Sequence, residues 1–104
     1  MRINSLQISD DKIRLFCQRW KVSELAIFGS ALHEDYPSGS DVDLLITFKP
    51  EAQWGLFDLV NMETELRTIF GREIDLVEKK AVANSENYIR RKGILDGAQI
   101  IFST

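Results

Sequence analysis

The stretch Asp41–Phe48, DVDLLITF, constrains the fold more than any other part of the chain. From Val42 onward it is an apolar run of strand length. Pro37-Ser38-Gly39-Ser40 precedes it and Lys49-Pro50 ends it, both in turn chemistry. Yet it opens on two aspartates, which are depleted in strands, and an unpaired buried carboxylate is costly. Side chains alternate along a strand, so Asp41 and Asp43 share one face while Val42 and Leu44 share the other. Either the carboxylates sit at an exposed edge, or positive charge holds them.

The segments around this run alternate in period. Residues 10–20 predict a helix, because Ile13, Phe16, Cys17 and Trp20 fall on one face, with Ser9 or Asp10 as N-cap. Glu24–Phe28 reads as a short buried strand that Gly29-Ser30 ends, and Ser30–Tyr36 as a short helix. Residues 54–70 carry the strongest helical pattern, with Leu56, Leu59, Val60, Leu66, Ile69 and Phe70 as its apolar stripe and Gly71 as its C-cap. Glu73–Glu78 predicts a third strand, residues 85–96 a last helix with Tyr88, Ile89 and Leu95 inward, and Ala98–Phe102 a terminal strand. Gly93 is the weak point of that last helix, since glycine there costs about 1 kcal/mol against alanine. The order implies an α/β (α+β) fold: a mixed sheet with helices packed mainly on one side.

With 104 residues the expectation is one domain, residues 1–104. No run approaches the ~18 apolar residues of a membrane span. The N-terminal MRINSLQISDDK lacks the apolar core of a signal peptide. A single cysteine, Cys17, excludes an internal disulfide and any cysteine-based metal cluster, and its place on the apolar stripe reads as packing. A cytoplasmic protein follows as the expectation. The net charge of −3 argues against stable nucleic-acid binding. The one dense basic cluster, Arg90-Arg91-Lys92, reads as a solvated helix face, or as a contact for triphosphate, RNA or an acidic partner. Trp54, Leu56 and Phe57 read as core packing or as an exposed anchor for a partner.

Three features point to chemistry. Asp41 and Asp43 on one face can grip one or two Mg²⁺ ions, which prefer oxygen ligands shared with substrate phosphates. Asp75 repeats the oddity within the apolar EIDLVE. If its strand lies beside the second one, it completes a carboxylate triad whose mutual repulsion calls for a cation. Gly29-Ser30 lets the backbone turn sharply and opens a helix whose free N–H groups attract anions, so a triphosphate could rest there. Each feature alone is equally at home in a turn, a cap or a solvated edge; their order along the chain is more specific.

Gly29-Ser30, ten residues, then Asp41-x-Asp43 resembles the signature of the nucleotidyltransferase superfamily related to DNA polymerase β. GSALHEDYPSGSDVDLLITF, WGLFDLV and GREIDLVEKKAV extend the resemblance along nearly the whole chain, to the minimal nucleotidyltransferase (MNT) antitoxins that accompany HEPN-domain ribonuclease toxins. The resemblance implies a compact α/β core, Mg²⁺ (two ions), and ATP as substrate. It implies transfer of AMP to a hydroxyl, that of a toxin tyrosine, within a hetero-oligomer of the two proteins. Carried over, Gly29 and Ser30 hold the triphosphate, and Asp41, Asp43 and Asp75 are the catalytic, metal-binding carboxylates.

One position departs from the pattern. Many relatives carry arginine about where His33 stands, and histidine offers phosphate less charge near neutral pH. Two alternatives therefore stay open: an antitoxin of weak or no activity that neutralises its toxin by binding, and a nucleotidyltransferase acting on RNA or a small molecule.

Overall fold

The computed structural model describes residues 1–3, 6–32, 41–84 and 86–104, with backbone alone at Ser30 and residues 88–90. The chain opens with two short antiparallel strands, β1 Arg2–Ile3 and β2 Leu6–Gln7. Their inner residues Ile3 and Leu6 are buried, and so is Ile8. The terminal ammonium donates to the Ile8 carbonyl at 2.9 Å and the Ile8 N–H to the Met1 carbonyl at 2.8 Å. Strands this short carry no periodicity, so the sequence does not announce them.

Helix α1, Asp10–Arg19, starts at Ser9, whose Oγ accepts from the Lys12 N–H at 3.3 Å. Asp10 and Asp11 in its first turn suit the positive end of the helix dipole. Its inner face buries Ile13, Phe16 and Cys17. Strand β3, Val22–Phe28, then runs two residues longer at its start than the apolar pattern alone predicts. A 3₁₀ turn, Gly29–Leu32, follows in place of the start of a short helix at Ser30. The remainder of that expected helix, and His33 with it, lies outside the described residues. Strand β4, Val42–Phe48, returns antiparallel to β3.

Helix α2, Leu56–Phe70, carries the chain from β4 to β5, Ile74–Glu78, which lies parallel to β4. A parallel neighbour requires such a crossover. Gly71 ends α2 at φ +69°, its N–H donating to the Arg67 carbonyl at 2.7 Å. The buried stripe of α2 is Met62, Leu66 and Phe70, flanked by half-buried Leu59 and Ile69. Leu56 and Val60 belong to the outer face, 75% and 48% exposed, contrary to the stripe expected from the sequence.

The last expected helix is preceded by a separate one. Helix α3, Lys79–Ala83, follows β5 directly, and α4, Tyr88–Gly97, runs through Gly93 to β6, Gln99–Ser103. The main sheet has the order β5-β4-β3-β6, with β6 antiparallel to β3. Val42, Leu44 and Ile46 face the larger core with α1 and α2. Ala26, Phe28 and Leu45 form a smaller cluster on the opposite face with Val82 of α3, and Ile94 and Leu95 of α4 pack against it. Lys79 ties α3 to β3 through Glu24 at 3.1 Å.

Trp54 joins the loop after β4 to the end of α1. Its indole N–H donates to the Trp20 carbonyl at 2.8 Å, and the two rings meet edge to face with centroids 5.1 Å apart. The Trp20 indole in turn donates to Glu65 at 2.8 Å. Trp54 is thus the packing residue of its motif, whereas Leu56 and Phe57 stand in solvent, Phe57 84% exposed. Among the described residues no helix is long and apolar enough to cross a membrane.

Candidate active site

The alternation that buries Val42, Leu44 and Ile46 turns Asp43 to the other face of the sheet, that of Leu45, α3 and α4. The Val42 N–H donates to the Glu73 carbonyl at 2.9 Å, which fixes where β5 meets β4. In the resulting parallel register Asp43 pairs with Asp75. Two strands that are distant in sequence thus bring two carboxylates side by side. Asp41 precedes β4 and is exposed.

On its other side Asp43 pairs with Phe28, the last residue of β3. Gly29 comes next, with φ +76°. A Cβ built there would lie 2.5 Å from Asp43 Oδ2 and 3.4 Å from its Cγ. Two separate conditions therefore call for glycine: a left-handed backbone and a carboxylate against its Cα. Phe28, Gly29, Asp43, Asp75, Gly93 and Ile94 line an open hollow of about 420 Å³.

Asp43 is half-buried, and its carboxyl holds its proton to higher pH than the ordinary value of 3.8. Burial is the larger cause, followed by the negative charges of Asp75 and Asp41. The three aspartates singled out in the sequence are therefore electrostatic neighbours. Among the described residues, no group of three carboxylate, imidazole or thiolate side chains is gathered closely enough to make a ready metal site. The donors present nonetheless suit a hard divalent cation: they are all oxygen, and their repulsion, felt at Asp43, is what a cation would relieve.

Of the expected site residues, Gly29, Asp43 and Asp75 come together around the hollow, and Asp41 stands two residues before Asp43. Ser30 belongs to the 3₁₀ turn by its backbone. Phe28, Gly93 and Ile94 also line the hollow, and the sequence reading did not place them there. The signal for Gly93 was present, as a glycine inside a helical pattern. A second hollow, of about 360 Å³, lies at the far end of β4 beside Thr47, Lys49 and Trp54, away from the aspartates.

Known proteins resemble this chain in sequence and in fold. The chain is 31% identical over 71 residues to a candidate protein adenylyltransferase of Methanocaldococcus jannaschii, covering 68% of this chain and 70% of that one. It is 32% identical over 65 residues to the protein adenylyltransferase MntA of Thermococcus cleftensis, covering 62% and 64%. Among solved structures, a toxin–antitoxin complex with AMP-PNP superposes with a TM-score of 0.69 at 15% identity, over 93% of this chain and 75% of that one. A complex of tri-AMPylated Shewanella oneidensis HEPN toxin with its MNT antitoxin gives 0.59 at 15% identity, over 91% and 70%. A minimal nucleotidyltransferase gives 0.65 at 22% identity, over 86% of both chains. At these identities the likeness to solved structures is one of fold. The family model of the nucleotidyltransferase domain matches residues 10–98, so the chain belongs to that family and is a nucleotidyltransferase.

Proposed function

We propose that this chain is the antitoxin of a HEPN/MNT pair and transfers AMP from ATP to a hydroxyl, a tyrosine, of its HEPN ribonuclease toxin. The observation that carries the reading is the pairing of Asp43 with Asp75 beside Gly29. It is supported by the relatives named protein adenylyltransferases, and by the fold shared with antitoxins solved beside an AMPylated toxin and with AMP-PNP.

In this reading the turn at Gly29-Ser30 holds the triphosphate through its backbone N–H groups. Asp41, Asp43 and Asp75 would hold Mg²⁺, which supplies neutralisation of the phosphate charge when bound. Asp75, exposed on the hollow, receives the proton of the acceptor hydroxyl. The acceptor oxygen forms a bond to the α-phosphorus, the bond from that phosphorus to the bridging oxygen breaks, and pyrophosphate leaves with the electron pair. The residues contribute mainly position and charge.

The test is co-expression of the cognate toxin with either the wild-type chain or Asp41→Asn/Asp43→Asn, followed by intact-mass measurement of the toxin. Toxin made with the wild type should carry whole AMP increments that are missing with the double variant. Equal masses would reject the reading.

A second reading, neutralisation by binding alone, is favoured by the exposure of Leu56 and Phe57, which offers an apolar contact away from the aspartates. It predicts that Asp41→Asn/Asp43→Asn/Asp75→Asn still protects cells from the toxin.

A further inference from the structure

We propose that Gly93 sets the size of the acceptor that can reach Asp43 and Asp75, as a positioning residue that keeps one wall of the hollow open. The inference rests on the reading above, in which AMP transfer occurs at this hollow.

Glycine inside a helix is disfavoured, because it loses more conformational freedom on folding than any other residue. Helix α4 nevertheless runs through Gly93, four residues before its end at Gly97. The two common structural reasons for a glycine are both missing there. Among the described residues, only Gly29, Gly71 and Lys21 have positive φ, so the backbone at Gly93 suits any L-residue. Among the described residues, a Cβ built at Gly93 meets no atom within 4 Å, so their packing does not demand glycine either, in contrast to Gly29.

What glycine preserves at this position is space, and Gly93 borders the hollow that Asp43 and Asp75 also line. Among the described residues, the other side chains lining it are those of Phe28 and Ile94, both apolar. Apolar walls beside two carboxylates suit an acceptor with an apolar body and a hydroxyl at its tip: the body against Phe28 and Ile94, the hydroxyl toward Asp75. A large side chain at position 93 would stand where that body enters.

The same openness makes the test clean, since added side chains meet solvent and the variants should fold. Gly93→Ala, Gly93→Leu and Gly93→Trp are compared with wild type in three measurements. These are the melting temperature, binding of a non-hydrolysable ATP analogue with Mg²⁺, and AMP transfer to the cognate toxin at varied toxin concentration. All three variants should melt at or above wild type, because each replaces a helix-interior glycine. All should bind the analogue within about 2-fold of wild type, less than the ~10-fold step that 1.4 kcal/mol of affinity represents. Gly93→Ala should lose the least AMP transfer of the three. Gly93→Trp should lose transfer by about 100-fold, the scale on which misplacing a reacting group is felt. Gly93→Leu should fall between them, chiefly through a raised KM for toxin.

Transfer by Gly93→Trp at the wild-type rate would overturn the inference. So would a parallel loss of analogue binding, which would put the nucleotide, not the acceptor, against this wall. If the unsubstituted chain transfers no AMP, the functional reading fails first, and that result is distinguishable because it requires no variant.

Discussion

Gly29 and Asp43 meet where β3 ends and β4 begins, so closely that a Cβ on Gly29 would lie 2.5 Å from Asp43 Oδ2. The contact follows from the register. Phe28 pairs with Asp43, so the residue after Phe28 must turn away across the aspartate's face, which it does at φ +76°. The turn that could receive phosphate and the carboxylate that could receive a cation are thus built against each other.

Replacing Gly29 should therefore do two kinds of damage. Gly29→Ala forces a Cβ into left-handed backbone, at a cost of about 1–2 kcal/mol, and pushes the Asp43 carboxylate aside. Gly71 provides the control: its φ is +69°, and among the described residues a Cβ there meets nothing within 4 Å. Both alanine variants should lower the melting temperature, by roughly 4–8 °C per kcal/mol for a domain near this size. Only Gly29→Ala should also lose AMP transfer, by about 10-fold or more, equivalent to at least ~1.4 kcal/mol of transition-state stabilisation. Equal activity in the two variants would show that the approach to Asp43 is irrelevant to the chemistry.

Asp43 carries a charge that the fold resists. Its carboxyl titrates above the ordinary 3.8, through burial first, then Asp75, then Asp41. Between the ordinary value and the raised one, the native state binds more protons than the unfolded state, so stability falls as pH rises through that window. In metal-free protein, Asp43→Asn should melt higher than wild type at pH 7. The gap should close as pH drops below about 4, where Asp43 is protonated in both states. Added Mg²⁺ should raise the melting temperature of wild type more than that of the variant. A gap that is constant from pH 3 to pH 7 would contradict this electrostatic account.

Cys17 lies on the inner face of α1 with no exposed surface, and burial pushes its thiol up to about 12. Thiolate is the reactive form, so iodoacetamide at pH 8 should leave the folded chain unmodified and alkylate it fully in denaturant. Reaction in the folded state at the rate of a free thiol would mean that the α1 face opens.

The motif around Trp54 should separate into two behaviours. Trp54→Phe removes the hydrogen bond to the Trp20 carbonyl and alters the edge-to-face pair, costing about 1–2 kcal/mol by urea unfolding. Phe57→Ser, at a side chain 84% exposed, should stay within about 0.5 kcal/mol of wild type. The reverse order would mean that the burial pattern of this segment is wrong.

The legible parts of this fold were those with strong local periodicity. Alternation in DVDLLITF told which way Asp43 points, and the apolar spacing around Phe16 and Leu66 told where α1 and α2 lie. Leu56 and Val60 misled because an apolar residue on the outer face of a helix reads the same as one on the inner face; only the packing of Met62 and Phe70 decides the rotation. Helix α3 and the N-terminal strand pair were too short to show a period. At the site, the candidate carboxylates were visible as aspartates in apolar strands. That Asp75 stands beside Asp43 was conditional on strand order, which the crossover through α2 determines and local sequence does not. The wall formed by Gly93 and Ile94 depends on α4 crossing that face, a tertiary fact that no local pattern carries.

The most direct measurement is transfer of label from α-labelled ATP to the purified cognate toxin in the presence of Mg²⁺, comparing wild type with Asp41→Asn/Asp43→Asn and with Asp75→Asn. Wild type should label the toxin and both variants should reduce the label to background, while their melting temperatures in metal-free buffer should match or exceed that of wild type. Labelling that proceeds equally well without the aspartates would contradict it.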